Sequence, residues 1–296
     1  MLYRFSAFNS LNLDAIANNS FFFSQRDQVN DPLDCNPPIT CPTYSEFRAR
    51  LKKLIGELKN CSDEFIDLFQ HEEVIEATYS PFKDIAQLKG LLTQQADNVG
   101  ILCFTKEYDN PLMWSHYADG HRGFCIGYDI KYDDTHMWNE INLFDNECVL
   151  LRGVEYSSKP IDVVIMYMAL LHFMLRNARN SSGFLEFDSA YKVLGFENIS
   201  KVIFSHLSVF FLSHKHTSWN YENEVRLLAM PRDNRSNSGL KQSKSSLLRK
   251  VYFGAKMPMS QKKTLTKLLS SNGTAFYEGY FSNEKLDVSF RSVHYD

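Results

Sequence analysis

Two glutamates near the end of the chain give the first indication of chemistry. Glu222 and Glu224 lie two residues apart in the stretch WNYENEVRLL, residues 219–228. On an extended segment, residues two apart leave the chain on the same face, so the two carboxylates would lie together. One could then stabilise an oxocarbenium-like transition state while the other orients or deprotonates an acceptor. The alternative is a solvated turn in which Arg226 forms a salt bridge.

A second polar cluster precedes a strand-like run in the middle of the chain. The stretch WSHYADGH begins at Trp114 and supplies Ser115, His116, Tyr117 and His121. Polar groups at the end of a strand, together with an aromatic ring, suit a flat heteroaromatic ligand held by stacking and hydrogen bonds. The alternative places Trp114 and Tyr117 in the core and makes His116 a satisfied buried histidine.

An arginine near the N-terminus completes the set of candidate residues. Arg4 lies between Tyr3 and Phe5 in the first predicted strand. Burial of an arginine on a central strand is costly, so its side chain should face a pocket, a carboxylate or a phosphate, unless the strand is an edge strand in water. His214 and His216, just before the acidic pair, face the same cleft or simply follow a helix as exposed residues. We therefore expect the three stretches to line one pocket.

Several other chemistries lack support in the sequence. No GxGxxG follows a strand and no GxxxxGK[ST] is present, which argues against Rossmann and P-loop nucleotide sites. HExxH and GxSxG are also absent. The spacing of His116, His121 and Cys125 matches no common zinc site. The chain has 6 cysteines without a CxxC pair, which is typical of reduced thiols.

The composition bounds the class of protein. The chain has 296 residues, of which 44% are hydrophobic, and a formal net charge of −3. These values indicate a globular protein with a substantial core. They argue against nucleic-acid binding that is driven by the overall charge of the protein. The N-terminus lacks the features of a secretory signal, and the apolar stretches are too short or too polar to span a bilayer. We expect a cytoplasmic protein that does not bind a membrane.

The predicted strands and helices must bring these candidate residues together. Strands and helices are segregated along the chain, which predicts an α+β fold with a mixed or mostly antiparallel central sheet. Helical insertions are expected at about 44–95 and 160–216 within a single domain of residues 1–296. The polar stretch 234–246, with few aliphatic residues, is predicted to be a mobile loop.

Four blocks of the sequence resemble a known family. LYRFSAFN, FFFSQRDQVNDPLDC, GILCFTKEYDNPLMWSHYADGHRGFCIGYD and WNYENEVRLL are together similar to the bacterial family catalogued as domain of unknown function 2971. In this chain Val29 and Leu33 replace the aromatic residues that often flank Asn30, Asp31 and Pro32. Members of the family often occur near phage-defence or abortive-infection genes, and their layout resembles the ADP-ribosyltransferase superfamily.

The resemblance implies an NAD-using effector of ADP-ribosyltransferase or NAD glycohydrolase type in phage defence. NAD would be a substrate, no cofactor would be tightly bound, and the acceptor would be a protein or a nucleic acid. Arg4 would hold an NAD phosphate or ribose, Glu224 would stabilise the ribosyl cation, and Glu222 would engage the acceptor. The catalytic residues implied in this way are Glu224, Glu222 and His116. The implied binding residues are Tyr3, Arg4, Ser24, Asn30, Asp31, Trp114, Ser115, Tyr117, His121, Trp219 and Arg226, without a metal.

Two other functions fit the same residues. A metal-dependent nuclease or phosphodiesterase could hold magnesium through Asp31, Asp34, Glu222 and Glu224, because magnesium prefers oxygen ligands. A sensor or binding module without chemistry could use the same pocket to bind a ligand or a phage protein and partner an effector encoded nearby.

Overall fold

The computed structural model describes residues 1–57, 66–67, 69–134, 139–145, 147–165, 167–168, 207–231, 236–270, 273–282 and 287–295. The chain divides into two compact units. The first unit comprises Met1–Asp31, Asn98–Tyr156 and Lys215–Asp296, and the second comprises Pro32–Asp97 and Ser157–His214. A single domain stays a prediction. All the candidate site residues except Asp34 and His214 fall in the first unit.

The strands and helices have the following bounds. The strands are β1 Leu2–Ser6, β2 Ser20–Phe23, β3 Ile39–Thr40, β4 Gly100–Thr105, β5 Phe124–Tyr128, β6 Asn139–Ile141, β7 Val149–Gly153, β8 Glu155–Tyr156, β9 Ile161–Asp162, β10 His214–Lys215, β11 Glu224–Ala229, β12 Gly239–Gln242, β13 Leu248–Phe253, β14 Ala275–Phe281 and β15 Val288–Ser292. The α-helices are α1 Ser10–Ala17, α2 Tyr44–Glu57, α3 Glu72–Tyr79, α4 Ile85–Ala96, α5 Pro111–Tyr117 and α6 Met259–Leu269. Short 3-10 helices cover Arg26–Gln28, Ser80–Phe82 and Thr217–Glu222.

A nine-stranded sheet forms the centre of the first unit, in the order β15-β14-β13-β5-β1-β4-β11-β7-β6. Strands β13 and β14 run parallel. The pairs that β1 makes with β4 and β5, and those that β11 makes with β4 and β7, are antiparallel. The predicted α+β class with a mixed, mostly antiparallel sheet is confirmed.

The sheet has two chemically different faces, as the alternation along β11 shows. Val225 and Leu227 point into the main hydrophobic core of the first unit. Glu224 and Arg226 leave on the opposite face, because successive side chains of a strand alternate. We call the first of these the core face and the second the site face.

A two-stranded ribbon lies on the core face and corrects one prediction. Strand β12, within the stretch predicted as a mobile loop, pairs with β2 in a register that places Leu240 opposite Phe22. The neighbouring Phe21 and Phe23 are buried in the core. The prediction was wrong for this strand, because its polar residues do not show the apolar alternation of a buried strand. One of them, Lys241, forms an ion pair with Glu147.

The second unit contains α2, α3, α4 and the short parallel pair β3 and β9. The apolar stripe of α2 buries Phe47, Leu51 and Ile55. Most of the helices predicted within 160–216 lie outside the described residues. In the described part of the chain, no helix has both the length and the apolar character needed to cross a membrane.

An ion-pair network at one end of the sheet leads to a prediction of pH-dependent stability. Lys262 lies 2.5 Å from Glu278 and Arg291 lies 2.8 Å from it. The hydrogen bonds from Lys262 and Arg291 lower the pKa of Glu278 to about 2. Because the folded pKa is depressed, this stabilisation is present above the ordinary glutamate pKa and disappears as the pH falls towards 2.

We expect Glu278→Gln to lower the free energy of unfolding by about 2 to 3 kcal/mol at neutral pH. The difference from wild type should shrink towards zero near pH 2, because the wild-type carboxyl is then protonated. Denaturant unfolding of both proteins across this range is the measurement. A difference that does not change with pH would contradict the assignment.

Candidate acid–base site

A left-handed turn brings the two glutamates together. Glu222 is the last residue of the 3-10 helix Thr217–Glu222, and Glu224 is the first residue of β11. Asn223 between them has φ 44° and ψ 51°, a left-handed conformation that asparagine tolerates better than most residues. The two acids therefore do not share one extended segment, yet their carboxylates meet as the same-face arrangement required.

Lys215 connects the two carboxylates. Its Nζ lies 2.5 Å from Oε2 of Glu222 and 3.4 Å from Oε2 of Glu224. The same ammonium lies 4.8 Å from the centroid of a Trp219 ring, in a cation–π contact. The lysine side chain is only 3% exposed, so one buried cation is shared by two buried acids.

Arg226 holds Glu224 in a bidentate ion pair. Its Nε lies 2.8 Å from Oε1 of Glu224, and its Nη2 lies 2.9 Å from Oε2. Arg226 is completely buried, which makes this planar pair rigid. The backbone N–H of Glu224 donates to the hydroxyl of Tyr156 at 2.9 Å, so the residue is fixed through both its side chain and its backbone.

Tyr117 connects Glu222 to the surface. Its hydroxyl donates to Oε1 of Glu222 and accepts a hydrogen bond from Nδ2 of the exposed Asn30 at 3.0 Å. Burial and the adjacent Glu222 raise the pKa of Tyr117, so the phenol stays protonated and remains a donor. Hydrogen bonds thus run continuously from exposed Asn30 to the buried acid.

The environment shifts the pKa values of the two acids in opposite directions. Burial alone would raise the pKa of Glu224, but Arg226 and Lys215 outweigh it and lower the value to about 2. Burial, with the charge of Glu224, raises the pKa of Glu222 despite the opposing effect of Lys215. Glu224 therefore stays ionised, whereas Glu222 is the stronger base. Such a separation is how enzymes assign different roles to paired acids.

Solvent reaches the vicinity of Glu224 beside Cys103. Cys103 lies on β4 directly opposite Arg226, on the site face. It is exposed although β4 is an internal strand of the sheet. The Cys103 side chain forms a hydrogen bond with the Glu224 carboxylate. A ligand could therefore approach the buried carboxylate from this side.

The loop before the second unit contributes two of the predicted residues. Asp31 accepts a hydrogen bond from Nε1 of Trp219 at 2.7 Å, while Asn30 bonds Tyr117. The structure therefore brings together seven of the predicted residues around Lys215. They are Asn30, Asp31, Tyr117, Trp219, Glu222, Glu224 and Arg226.

Arg4 and Ser24 lie elsewhere, which corrects the expectation of one common pocket. Arg4 follows Tyr3 on β1 and so points to the opposite, core face. There burial raises the pKa of Tyr128, and the charge of Arg4 opposes that rise. Ser24 pairs with Ile101, at the far end of β4 from the residue that pairs with Glu224. A shallow hollow beside α1 also belongs to the core face and shares no residue with the acidic cluster.

Trp114 is buried in the core, whereas His116 is exposed. Trp114 is completely buried, its Nε1 donates to the carbonyl of Tyr108 at 2.7 Å, and its ring meets Phe5 edge-on. It therefore has no surface for stacking on a ligand, and the core alternative holds for this residue. His116 is exposed, and its ring centroid lies 6.0 Å from that of Tyr221, at the border of the cluster.

Ser115 and His121 form a separate pair on α5 and its following turn. The Ser115 hydroxyl donates to the carbonyl of Pro111 at 3.0 Å and lies 3.3 Å from Nε2 of His121. Residues two apart on a helix are about 200° apart, so Ser115 does not share the face of Tyr117 that contacts Glu222. The His121 ring is buried against Trp114, and within the described part of the chain no group forms a hydrogen bond with its Nδ1.

This buried imidazole predicts acid-induced destabilisation. Burial, together with Lys256, lowers the pKa of His121, so the folded protein favours the neutral ring. Stability is then complete above the ordinary histidine pKa of about 6.5 and falls as the pH drops below it. We expect His121→Asn, which suits the positive φ of 69° at this position, to reduce this loss. Parallel pH dependence of unfolding in both proteins would show that another group is responsible.

Three residues that contact Glu224 were not identified from the sequence. Lys215 was overlooked between His214 and His216, and nothing in the local pattern singled out Tyr156 or Cys103. Of the two histidines beside Lys215, His214 bonds the carbonyl of Phe210, and His216 caps the 3-10 helix by accepting from the backbone of Ser218. Within the described residues, no group of three or more His, Cys, Asp and Glu side chains is arranged to hold a metal ion.

Comparison with known protein families finds a match over the segment that carries most of this cluster. Residues 113–227 match the model of a family described as a protein of unknown function, DUF2971. The matched segment includes α5 from Met113 onwards, Lys215 and both glutamates, whereas the N-terminal blocks that carry Arg4 and Asn30 lie outside it. Neither a curated protein nor a solved structure matches the chain.

Proposed function

Through residues 113–227 the chain belongs to the DUF2971 family of proteins of unknown function, and on that premise we propose that it consumes NAD. The reaction is cleavage of the N-glycosidic bond between nicotinamide and ribose, as in an ADP-ribosyltransferase or an NAD glycohydrolase. Glu224 and Glu222 carry the chemistry, and Lys215, Arg226 and Tyr117 position them.

One observation supports this function above the others: the two acids share a lysine, yet their pKa values move in opposite directions. Glycosidic transfer needs an ionised carboxylate beside the developing positive charge and a second carboxyl that handles a proton. Glu224 meets the first need and Glu222 the second.

The proposed step balances as follows. The carbon–nitrogen bond breaks, and its electron pair leaves with nicotinamide, whose ring becomes neutral. Positive charge develops on the ribosyl ring, where the Glu224 carboxylate stabilises it. A water or acceptor hydroxyl oxygen forms the new bond to the same carbon, and its proton passes to Glu222.

The surrounding residues restrict what each acid can do. Arg226 fixes both oxygens of Glu224, so its charge is oriented before a substrate arrives. Lys215 keeps Glu222 close without neutralising it completely, since its Nζ is shared with Glu224. The Tyr117 hydroxyl, itself held by Asn30, donates to the second oxygen of Glu222 and orients this carboxyl.

The alternative of a magnesium-dependent nuclease receives less support. Lys215 Nζ occupies the position between the two carboxylates that a bridging ion would need. Asp31 is engaged with Trp219. Asp34, the fourth ligand expected from the sequence, belongs to the second unit.

A binding module without chemistry is the second candidate. Glu222 and Glu224 are 2% and 6% exposed, and each carboxylate already has protein partners. A fully satisfied buried ion-pair network also occurs where it only specifies structure. In that case, wild type would release no nicotinamide from NAD.

The test follows nicotinamide release from NAD by the purified chain, with and without a cell lysate. Labelled NAD distinguishes transfer to a lysate acceptor from hydrolysis. Glu222→Gln is expected to lower turnover by about 10²-fold, because it removes the proton acceptor. If wild type releases no nicotinamide in either condition, or if folded Glu222→Gln releases it at the wild-type rate, the proposal fails.

A further inference from the structure

Four tyrosines form a row across the site face of the sheet. Tyr108 stacks on Tyr252 with centroids 4.3 Å apart, and Tyr252 stacks on Tyr277 at 4.8 Å. Tyr3 lies beside Tyr108, with centroids 5.3 Å apart. The row spans β1, β13, β14 and the loop after β4. We call these four residues the tyrosine row.

The row is partly open to solvent. Tyr252 in its middle is 3% exposed, whereas Tyr3, Tyr108 and Tyr277 are half-buried. Burial, followed by the neighbouring Tyr108, raises the pKa of Tyr3, and burial also raises that of Tyr108. The phenols therefore stay protonated and can both donate and accept hydrogen bonds. The accessible parts combine flat apolar rings with polar groups.

A glycine on the next strand makes room for the row. A Cβ at Gly127 would lie 3.1 Å from Cε1 of Tyr3 and 3.3 Å from Cβ of Lys250. Glycine in a strand interior costs stability, and it often marks a site of close approach. Here it lets the ring of Tyr3 lie close to the backbone of β5.

The row is aligned with the acidic cluster. Tyr3 pairs with Thr105, and Thr105 pairs with Glu224, so all three lie side by side on the site face. Two strand spacings separate Tyr3 from Glu224, about 10 Å between backbones. A ligand with two nucleosides joined by a pyrophosphate can reach across such a separation.

We propose that the tyrosine row is the subsite for the adenosine half of NAD. The purine packs against the half-buried rings of Tyr3 and Tyr108, and the pyrophosphate spans the interval between Tyr3 and Glu224. The identity of the ligand rests on the proposed NAD-consuming function. Arg4, to which the resemblance gave the phosphate, lies on the opposite face of the sheet.

The test titrates the full chain with adenosine 5′-monophosphate by calorimetry. We expect wild type to bind, and Tyr108→Ala and Tyr3→Ala to bind about tenfold more weakly, because each loses a stacking surface. Tyr108→Phe keeps the ring and should bind within about twofold of wild type. The matched control is Tyr280→Ala, since Tyr280 is exposed and lies outside the row. Near-ultraviolet circular dichroism checks that each variant is folded.

The outcomes separate this subsite from the proposed chemistry. Adenosine monophosphate binding that is lost in folded Tyr108→Ala, without NAD cleavage by wild type, would support the row and contradict the chemistry. NAD cleavage with an unchanged KM in Tyr108→Ala, or no loss of binding in either alanine variant, would overturn the row. Tighter binding of a single-stranded oligonucleotide, with the same loss in Tyr108→Ala, would assign the row to nucleic acid and also overturn the proposal.

Discussion

Replacement of Glu224 by Gln is expected to lower nicotinamide release from NAD by about 10²- to 10⁴-fold, with little change in KM. The amide keeps the size of the side chain and part of its hydrogen bonding to Arg226. It removes the negative charge that would stabilise the ribosyl cation, an interaction that is strongest in the transition state. The effect should therefore fall on kcat.

Glu140→Gln is the matched control, because Glu140 is an exposed acid on the edge strand β6. It should behave like wild type in the same assay. Thermal unfolding of Glu224→Gln separates lost chemistry from lost folding. Undiminished release by a folded Glu224→Gln protein would remove Glu224 from the mechanism.

Lys215→Met should destabilise the protein by about 3 to 5 kcal/mol, because it leaves two buried carboxylates without their shared cation. Arg226 still pairs with Glu224, so most of the penalty falls on Glu222. Lys263→Met, at an exposed position on α6, should change stability by less than about 0.5 kcal/mol. Denaturant unfolding gives both differences.

The double variant Lys215→Met/Glu222→Gln tests the cause of this loss. Without a charge at position 222, the missing cation matters less, and we expect the double variant to recover part of the stability lost in the single one. If the two substitutions are simply additive, the ion pair between Lys215 and Glu222 contributes little.

The elements that position the cluster were predictable where one periodicity dominated. The alternation of NEVRLL and the apolar runs GILCFT and GFCIGY predict three strands, and the structure confirms them as β11, β4 and β5. The asparagine–proline pair before α5 is typical of a turn that leads into a helix, and Asn110 caps this helix. The polar residues around β12 show no such periodicity, because this strand forms through its pairing with β2 rather than through its own composition.

The candidate site was only partly predictable. The spacing of Glu222 and Glu224 indicated a pair, but the left-handed turn at Asn223 and the bridging Lys215 depend on tertiary contacts. Strand periodicity alone puts Tyr3 and Arg4 on opposite faces. Which of them lies with Glu224 is decided by the register of β1 and β4, which the local sequence does not encode.

The most direct measurement of the central claim is a carboxyl titration of Glu222 and Glu224 by carbon-13 NMR. Signals are assigned with the Gln variant at each position. We expect one carboxyl that titrates near pH 2, assigned to Glu224, and a second that titrates above the ordinary glutamate range, assigned to Glu222. Two carboxyls that titrate together in the ordinary range, or in the reverse order, would contradict the division of roles from which the proposed function follows.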